Sequence, residues 1–235
     1  MALAYVSNVV YSTGPTAPPG PAITYNGMDA GSTMVVMGVI LAGAPGVLST
    51  SSMITSITDA AGNAWQYSTA ATTALTDGTP PAAYSAPIDD GAVAFVAWCA
   101  GGLNPGSIQF EDATGATDYW YLLIIEVSGV LSPNLGRAAT GTSATPSLSV
   151  PLGNYGDLTC AAGTCAGGFT VQPPGMTYTN VGINFVSLDY DVTGASMGTA
   201  AWTQPSSQAY AATMMSFNAV PEYPPVPPLP GMISS

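Results

Sequence analysis

The stretch DYWYLLIIEV, Asp118 to Val127, predicts a long central β-strand, because its aromatic and β-branched residues favour the extended conformation. Two other runs are almost entirely apolar, Met34 to Leu41 and Val93 to Cys99, and each predicts a buried strand. For Met34 to Leu41 the cover on both faces could come from a neighbouring chain. Ser107 to Glu111 alternates between apolar and polar residues, which indicates a half-exposed strand.

No stretch of a dozen residues holds a helical period, so the chain is predicted to be all-β. Gly and Pro punctuate it throughout, with 27 and 21 residues respectively. Leu75 to Gly91 reads as a loop and Gly14 to Ala22 as a Pro-rich link. The remaining predicted strands are Ala4 to Ser12, Thr140 to Leu152, Asp157 to Ala162, Asn180 to Leu188, Ala200 to Thr203 and Tyr210 to Phe217.

The most pronounced local turn signal lies between Ile54 and Tyr67, in ITSITDAAGNAWQY. Asp59 and the pair Gly62-Asn63 separate two apolar runs, which predicts a β-hairpin with positive-φ turn positions.

These strands predict a jelly-roll-like antiparallel β-sandwich of about eight to ten strands, with extended Pro-rich N- and C-terminal segments. Residues 1–22 form an N-terminal strand and link, and residues 23–219 form one sandwich domain. Within it, MVVMGVIL and LTCAAGTC resemble each other, as do DYWYLLIIEVSGV and QAYAATMMSFNAV. We therefore expect either two related halves, about 23–130 and 140–219, or a coincidence between generic strand patterns.

Residues 220–235 are too rich in Pro to fold alone and predict an extended arm. We expect this arm to dock on a neighbouring subunit through apolar side chains. A loose tail or linker and a Pro-rich ligand for small signalling domains are alternatives. The predicted interface residues are Tyr223, Val226, Leu229 and Met232.

The charge composition excludes several classes of function. The chain has one Lys or Arg residue (Arg137), no His and thirteen carboxylates, for a formal net charge of −12. Without His or Lys there is no imidazole relay, Schiff base or P-loop lysine. The negative charge argues against binding nucleic acid or anionic membranes. No segment predicts a membrane span or a signal peptide, so synthesis in the cytoplasm is expected.

Carboxylates, hydroxyls and thiols are the remaining chemical groups, and we expect neither catalysis nor a cofactor. A carboxylate-pair hydrolase would centre on Glu126, which more simply reads as an outward-facing strand residue. Calcium is a weak possibility at the acidic pairs Asp189/Asp191 and Asp89/Asp90. If Leu158 to Ala166 is one strand, Cys160 and Cys165 face opposite sides of it, and free buried thiols are expected. A turn at Gly163 is the alternative that would let the two cysteines pair.

Exposed aromatic side chains could stack on sugars, with Trp120, Tyr121 and Trp202 as candidates. A carbohydrate-binding module or adhesin is therefore the main alternative to a structural protein. The same side chains more simply predict core residues and an oligomer interface.

The succession of several motifs resembles β-sandwich virion proteins of tailed bacteriophages, of the minor tail and head-decoration type. The motifs are TDAAGNAW (Thr58 to Trp65), VAFVAWCAGGLNPGSIQFE (Val93 to Glu111), IIEVSGV (Ile124 to Val130), TGTSATPSLSV (Thr140 to Val150), YGDLTCAA (Tyr155 to Ala162) and AATMMSF (Ala211 to Phe217). The resemblance implies a jelly-roll-like sandwich, a structural role in a virion and no catalysis.

We therefore expect a non-enzymatic virion subunit that packs laterally and clasps its neighbours with Pro-rich arms. Its partners would be further copies of itself and other virion proteins, with a host surface glycan as the alternative ligand. One arginine rules out a dense network of salt bridges, so such an assembly would rest on apolar contacts and backbone hydrogen bonds.

Overall fold

We analysed a computed structural model of the protein, which describes residues 4–12, 16–17, 19–41, 54–66, 82–84, 92–112, 118–150, 152, 157–179, 183–192 and 198–220. Within these ranges the chain is all-β, and no helix is present that could cross a membrane. The strands are β1 Ala4–Ser12, β2 Ala22–Tyr25, β3 Thr33–Leu41, β4 Ile54–Asp59, β5 Ala82–Tyr84, β6 Ala92–Ala100, β7 Gly106–Asp112, β8 Tyr119–Ser128, β9 Val130–Ser143, β10 Ser147–Ser149, β11 Leu158–Cys165, β12 Thr177–Thr179, β13 Val186–Asp191, β14 Thr199–Ala201 and β15 Gln208–Ala219.

The strands form two large and two small sheets, and every strand pairing is antiparallel. Sheet I has the order β1-β8-β3-β6-β5, and sheet II has the order β12-β13-β11-β15-β9. The three-stranded outer sheet is β2-β7-β4, and the two-stranded outer sheet is β10-β14. The protein is therefore an antiparallel β-sandwich.

Apolar side chains hold these sheets together as four layers. Ile108 of β7 and Leu122 of β8 belong to a first core, between the three-stranded outer sheet and sheet I. A second core lies between sheets I and II, and Trp98 meets Phe217 there edge-on with ring centroids 5.8 Å apart. The third core includes Trp202 and lies between sheet II and the two-stranded outer sheet. Both large sheets are thus covered on both faces, which explains why their inner strands β3, β6, β8, β11 and β13 are almost completely buried.

The two large sheets share one connectivity. Read from its β9 edge, sheet II has the order β9-β15-β11-β13-β12, which matches β1-β8-β3-β6-β5 position by position. The first strand of each half, β1 or β9, lies at an edge of its large sheet, and the second, β2 or β10, belongs to an outer sheet. The last strand of each half, β8 or β15, pairs with the first. The chain passes from one half to the other at Gly129, between β8 and β9. The similar sequences MVVMGVIL and LTCAAGTC lie on β3 and β11, which occupy equivalent positions.

Gly38 on β3 and Gly163 on β11 each lie on the middle strand of a large sheet, on the face toward an outer core, and both make room for large side chains. Gly38 pairs with Phe95 and Leu122, and a Cβ at Gly38 would overlap the Phe95 ring. A Cβ at Gly163 would lie 3.2 Å from the Trp202 ring. Each glycine therefore lets an aromatic side chain pack flat against the centre of a large sheet.

The structure corrects several strand predictions. The expected hairpin at Ile54 to Tyr67 is wrong, because β4 pairs with β7, and Gln66 exchanges backbone hydrogen bonds with Trp98 of β6. The turn at Gly62 (φ 73°) therefore leads the chain from an outer sheet to sheet I. Strand β5 lies inside the predicted loop Leu75 to Gly91. The predicted strand Thr140 to Leu152 is two strands, β9 and β10, and β9 starts ten residues earlier, at Val130.

The sheets of the chain itself explain the burial of β3, with no neighbouring chain required. Val36 packs in the first core and Val35 in the second. The N-terminal strand likewise pairs within its own chain, because β1 lies beside β8 in sheet I.

Candidate functional site

Glu126 lies on the central strand β8 and is completely buried, so its expected outward orientation is wrong. Its carboxylate accepts hydrogen bonds from the backbone N–H of Asp29 at 2.7 Å and the Tyr25 hydroxyl at 3.1 Å, and a longer one from the Ser7 hydroxyl at 3.3 Å. The Ser7 and Tyr25 hydroxyls are also in hydrogen-bond contact with each other, so their two protons are shared among these three contacts. Burial beside Glu126 raises the pKa of Tyr25 to about 12. This carboxylate therefore ties β2 of the outer sheet and the turn before β3 to β1 and β8 of sheet I.

Asp189 lies on β13 in sheet II, and burial raises its pKa to about 7. The Ser187 hydroxyl is in hydrogen-bond contact with Asp189 Oδ2 and with Gln172 Oε1, and it accepts from Trp202 Nε1 at 2.9 Å. A hydroxyl has one proton to donate and here meets two acceptors. A neutral Asp189 that donates from Oδ2 to Ser187 frees the Ser187 proton for Gln172, in agreement with the raised pKa.

Asp59 organises the turn after β4. Its Oδ2 accepts from Trp65 Nε1 at 2.7 Å and from Asn63 Nδ2 at 2.9 Å, and its Oδ1 accepts from the backbone N–H groups of Ala61 and Asn63. Burial alone would raise the pKa of Asp59, but these hydrogen bonds outweigh it and lower the pKa. Asn63 in turn bonds both backbone groups of Leu103. The site therefore joins two loops at one end of sheet I.

The calcium candidates do not form a site in the part of the chain that the structure describes. Asp189 and Asp191 lie on one face of β13, paired with Ala161 and Thr159, and both carboxylates are buried. Within the described ranges, no three Cys, Asp or Glu side chains are grouped so as to hold a metal ion. Asp89 and Asp90 lie outside the described residues.

The three cysteines are free and buried. Cys160 packs in the second core and Cys165 in the third, so the prediction that they face opposite sides of one strand is confirmed. Burial raises the pKa of Cys99 and Cys165 to about 11, and burial raises that of Cys160 further. A thiol reacts as its thiolate, so these groups are poor nucleophiles at neutral pH.

The aromatic residues suggested for glycan stacking lie inside the protein. Trp120 is 0% exposed, in the first core, and Trp202 is 1% exposed, in the third. Tyr121, at 8%, packs in the second core. Stacking on a sugar requires an exposed ring face, and these rings are covered by the chain's own layers. The outer sheets cover Trp120 and Trp202 on faces that a two-layer sandwich would leave exposed, whereas Tyr121 lies between the two large sheets.

Sequence reasoning missed the most exposed apolar strand. Every residue of β1 is exposed or half-buried, and Tyr5, Val6 and Val10 are 39%, 38% and 44% exposed. They account for half of the large apolar side chains exposed in the described ranges, the others being Leu103, Val171 and Phe185. The available signal was the sequence AYVSNVVYS, a strand-forming run without charge, Pro or Gly.

The other edges of the two large sheets are protected against pairing with further strands. Strands β5 and β12 have three residues each. Strand β9 carries Pro133, which has no N–H group to donate, and the exposed Arg137. Short strands, Pro and charge are common means of blocking an edge. Strand β1 has none of these, and a bulge between Tyr5 and Ser7 leaves residues 7–12 in regular register.

No protein-family model and no curated protein matches this chain. The predicted arm residues Tyr223, Val226, Leu229 and Met232 lie outside the described residues.

Proposed function

We propose that this protein is a non-enzymatic structural subunit of a virion, of the capsid-decoration or minor-tail type, that assembles laterally with copies of itself. The observation that carries the self-assembly is β1, an uncharged and exposed apolar strand at the edge of a five-stranded sheet. Such an edge offers unpaired backbone groups to another chain, and proteins that work alone generally block it.

The chemistry of the described surface supports contacts that do not depend on ion pairs. The chain carries one basic residue and a formal net charge of −12, so two copies repel each other at low ionic strength. Attraction must then come from apolar burial and backbone hydrogen bonds, both of which β1 can supply. Added salt screens the repulsion and leaves these attractions in place, so the assembly persists in molar NaCl.

The virion role is supported by the resemblance of the sequence motifs to β-sandwich proteins of tailed bacteriophages. In this role the Pro-rich C-terminal arm, residues 220–235, lies across a neighbouring subunit. The arm residues that contact this subunit are Tyr223, Val226, Leu229 and Met232. Other virion proteins are further partners on the particle.

The test is the solution mass of the full chain by light scattering, beside a variant truncated after Val220. The proposal predicts a defined multimer for the full chain, weakened by the truncation, and stoichiometric recovery of its peptides from purified virions. A full chain that stays monomeric at all concentrations and is absent from virions would overturn it. An oligosaccharide titration of the same sample tests the glycan-binding alternative, for which saturable binding is the required result.

A further inference from the structure

We infer that β1 pairs antiparallel with β1 of a second copy of this chain, about a two-fold axis at Val10. This inference rests on the proposed self-assembly and names the surface and the register. The pairing would join the five strands of sheet I from each copy into one continuous sheet. A two-fold interface of this kind uses the same residues on both copies, so the strand has to be complementary to itself.

The regular part of β1 is self-complementary. From Asn8 to Ser12 the sequence reads polar, apolar, apolar, apolar, polar, which is symmetric about Val10. An axis at Val10 places Val10 opposite its own copy, Val9 opposite Tyr11, and Asn8 opposite Ser12. Apolar residues then face apolar ones and polar residues face polar ones, which is the pattern that stabilises neighbouring strands.

The two faces of the strand agree with this register. Val9 and Tyr11 are partly buried and pack against the first core, so the Val9–Tyr11 pairs would extend that core across the interface. Val10 points to the opposite face, and as the most exposed apolar side chain of the strand it would be covered by the same residue of the second copy. Apolar area that is exposed in one copy is thereby removed from water in the pair.

One feature of β1 limits how far the pairing extends, and another favours a second copy of the chain as the partner strand. On the N-terminal side, the bulge between Tyr5 and Ser7 interrupts regular pairing before it reaches the exposed Val6. The strand has no charged residue, so it offers nothing to an oppositely charged partner and places no like charges opposite each other at the axis. A second copy of β1 is likewise uncharged, so the two strands can pair without charge repulsion at the axis.

Variants with one added cysteine measure this register directly. Residues directly opposite each other in antiparallel strands have Cα atoms 4.5–5.5 Å apart, within the range that a disulfide spans. The native cysteines Cys99, Cys160 and Cys165 are buried and do not compete. Val10→Cys should form a disulfide-linked dimer in a glutathione redox buffer. Asn8→Cys, on the same strand but four residues from its own copy across the axis, should not.

Val171→Cys serves as the control for chance collision, because Val171 is 52% exposed and lies outside sheet I, in an isolated bridge to Thr203. We expect at least tenfold more dimer from Val10→Cys than from either other variant. Equal or greater crosslinking of Asn8→Cys would overturn the register. A multimeric wild type with no crosslinking of Val10→Cys would overturn the edge pairing and leave the proposed function standing. Monomers throughout would overturn both.

Discussion

The ring of Tyr5 stacks on the ring of Tyr190, with centroids 5.8 Å apart and 11° between their planes. Tyr5 lies on the edge strand β1 of sheet I, and Tyr190 lies on β13 of sheet II. The pair therefore fastens the edge strand to the opposite sheet. Together with the hydrogen bonds of Ser7 to Tyr25 and Glu126, it holds β1 in place before any second copy binds. Strands positioned in advance lose less conformational entropy on pairing.

Replacing Tyr5 with Ala should lower the free energy of unfolding by about 1–2 kcal/mol, because a stacked aromatic pair and its buried area are lost. Urea denaturation followed by tryptophan fluorescence measures this. Leu103→Ala is the control, since Leu103 is 64% exposed and its hydrogen bonds to Asn63 are made by its backbone. A Tyr5→Ala effect no larger than the Leu103→Ala effect would show that the stacking contributes nothing.

Gly38→Ala should destabilise the fold much more than Gly163→Ala, although both glycines lie on the middle strand of a large sheet. At Gly38 the added methyl group would overlap the Phe95 ring and lie 2.7 Å from a methyl carbon of Leu122. At Gly163 the nearest atom belongs to the Trp202 ring at 3.2 Å, which a small shift relieves. Overpacking of a core costs about 1–3 kcal/mol. Thermal denaturation should place the Gly38→Ala midpoint several degrees below that of Gly163→Ala; the reverse order would contradict the packing described for Phe95.

Asp189→Asn should stabilise the protein at pH 8 and have little effect at pH 4. The folded protein holds the Asp189 proton up to about pH 7, whereas an unfolded chain releases it near pH 3.8. The stability that this group contributes is therefore complete below pH 3.8 and is lost as the pH rises through 7. Asn carries no charge and removes that loss. Melting temperatures across pH 4–8 should give a flatter profile for the variant.

Asp59→Asn is the control for that experiment, because it should change the melting temperature at pH 8 in the opposite direction. Hydrogen bonds from Asn63, Trp65 and Ala61 lower the pKa of Asp59, so its ionised form stabilises the fold, and that stability is lost as the pH falls through the folded pKa. Asp59→Asn should accordingly lower the melting temperature at pH 8. If both variants shift the midpoint in the same direction at pH 8, the assignment of a neutral Asp189 is wrong.

Local sequence predicted the central strands well and their partners poorly. The apolar runs in β3, β6 and β8 need only short-range information, and these strands lie where they were expected. The turn at Asp59 to Asn63 reverses the chain locally, but its strand β4 pairs with β7, some fifty residues later, so a hairpin pattern could not reveal the partner. Pro133 lies in the edge strand β9, where a missing N–H group is tolerated, so β9 begins well before the strand predicted from Thr140.

The buried polar groups were the least predictable part of the candidate site. Glu126 lies 101 residues from Tyr25 and 97 from Asp29, so its donors follow from the fold and not from any motif. The sequence left Trp120 and Trp202 as candidates both for glycan stacking and for the core, for a related reason. A tryptophan side chain is typical both of a sugar-binding face and of a core. Only the outer sheets, which form by long-range strand pairing, decide between these two locations.

The central claim is self-association through β1, and sedimentation velocity of Val10→Lys beside wild type and Val171→Lys tests it most directly. Both substitutions add one positive charge at a half-exposed valine, but Val10→Lys alone places two lysines opposite each other at the proposed axis. All three proteins are compared in the same high-salt buffer. We predict that Val10→Lys stays monomeric at concentrations where wild type and Val171→Lys associate to the same extent. Association of Val10→Lys indistinguishable from wild type would contradict the account.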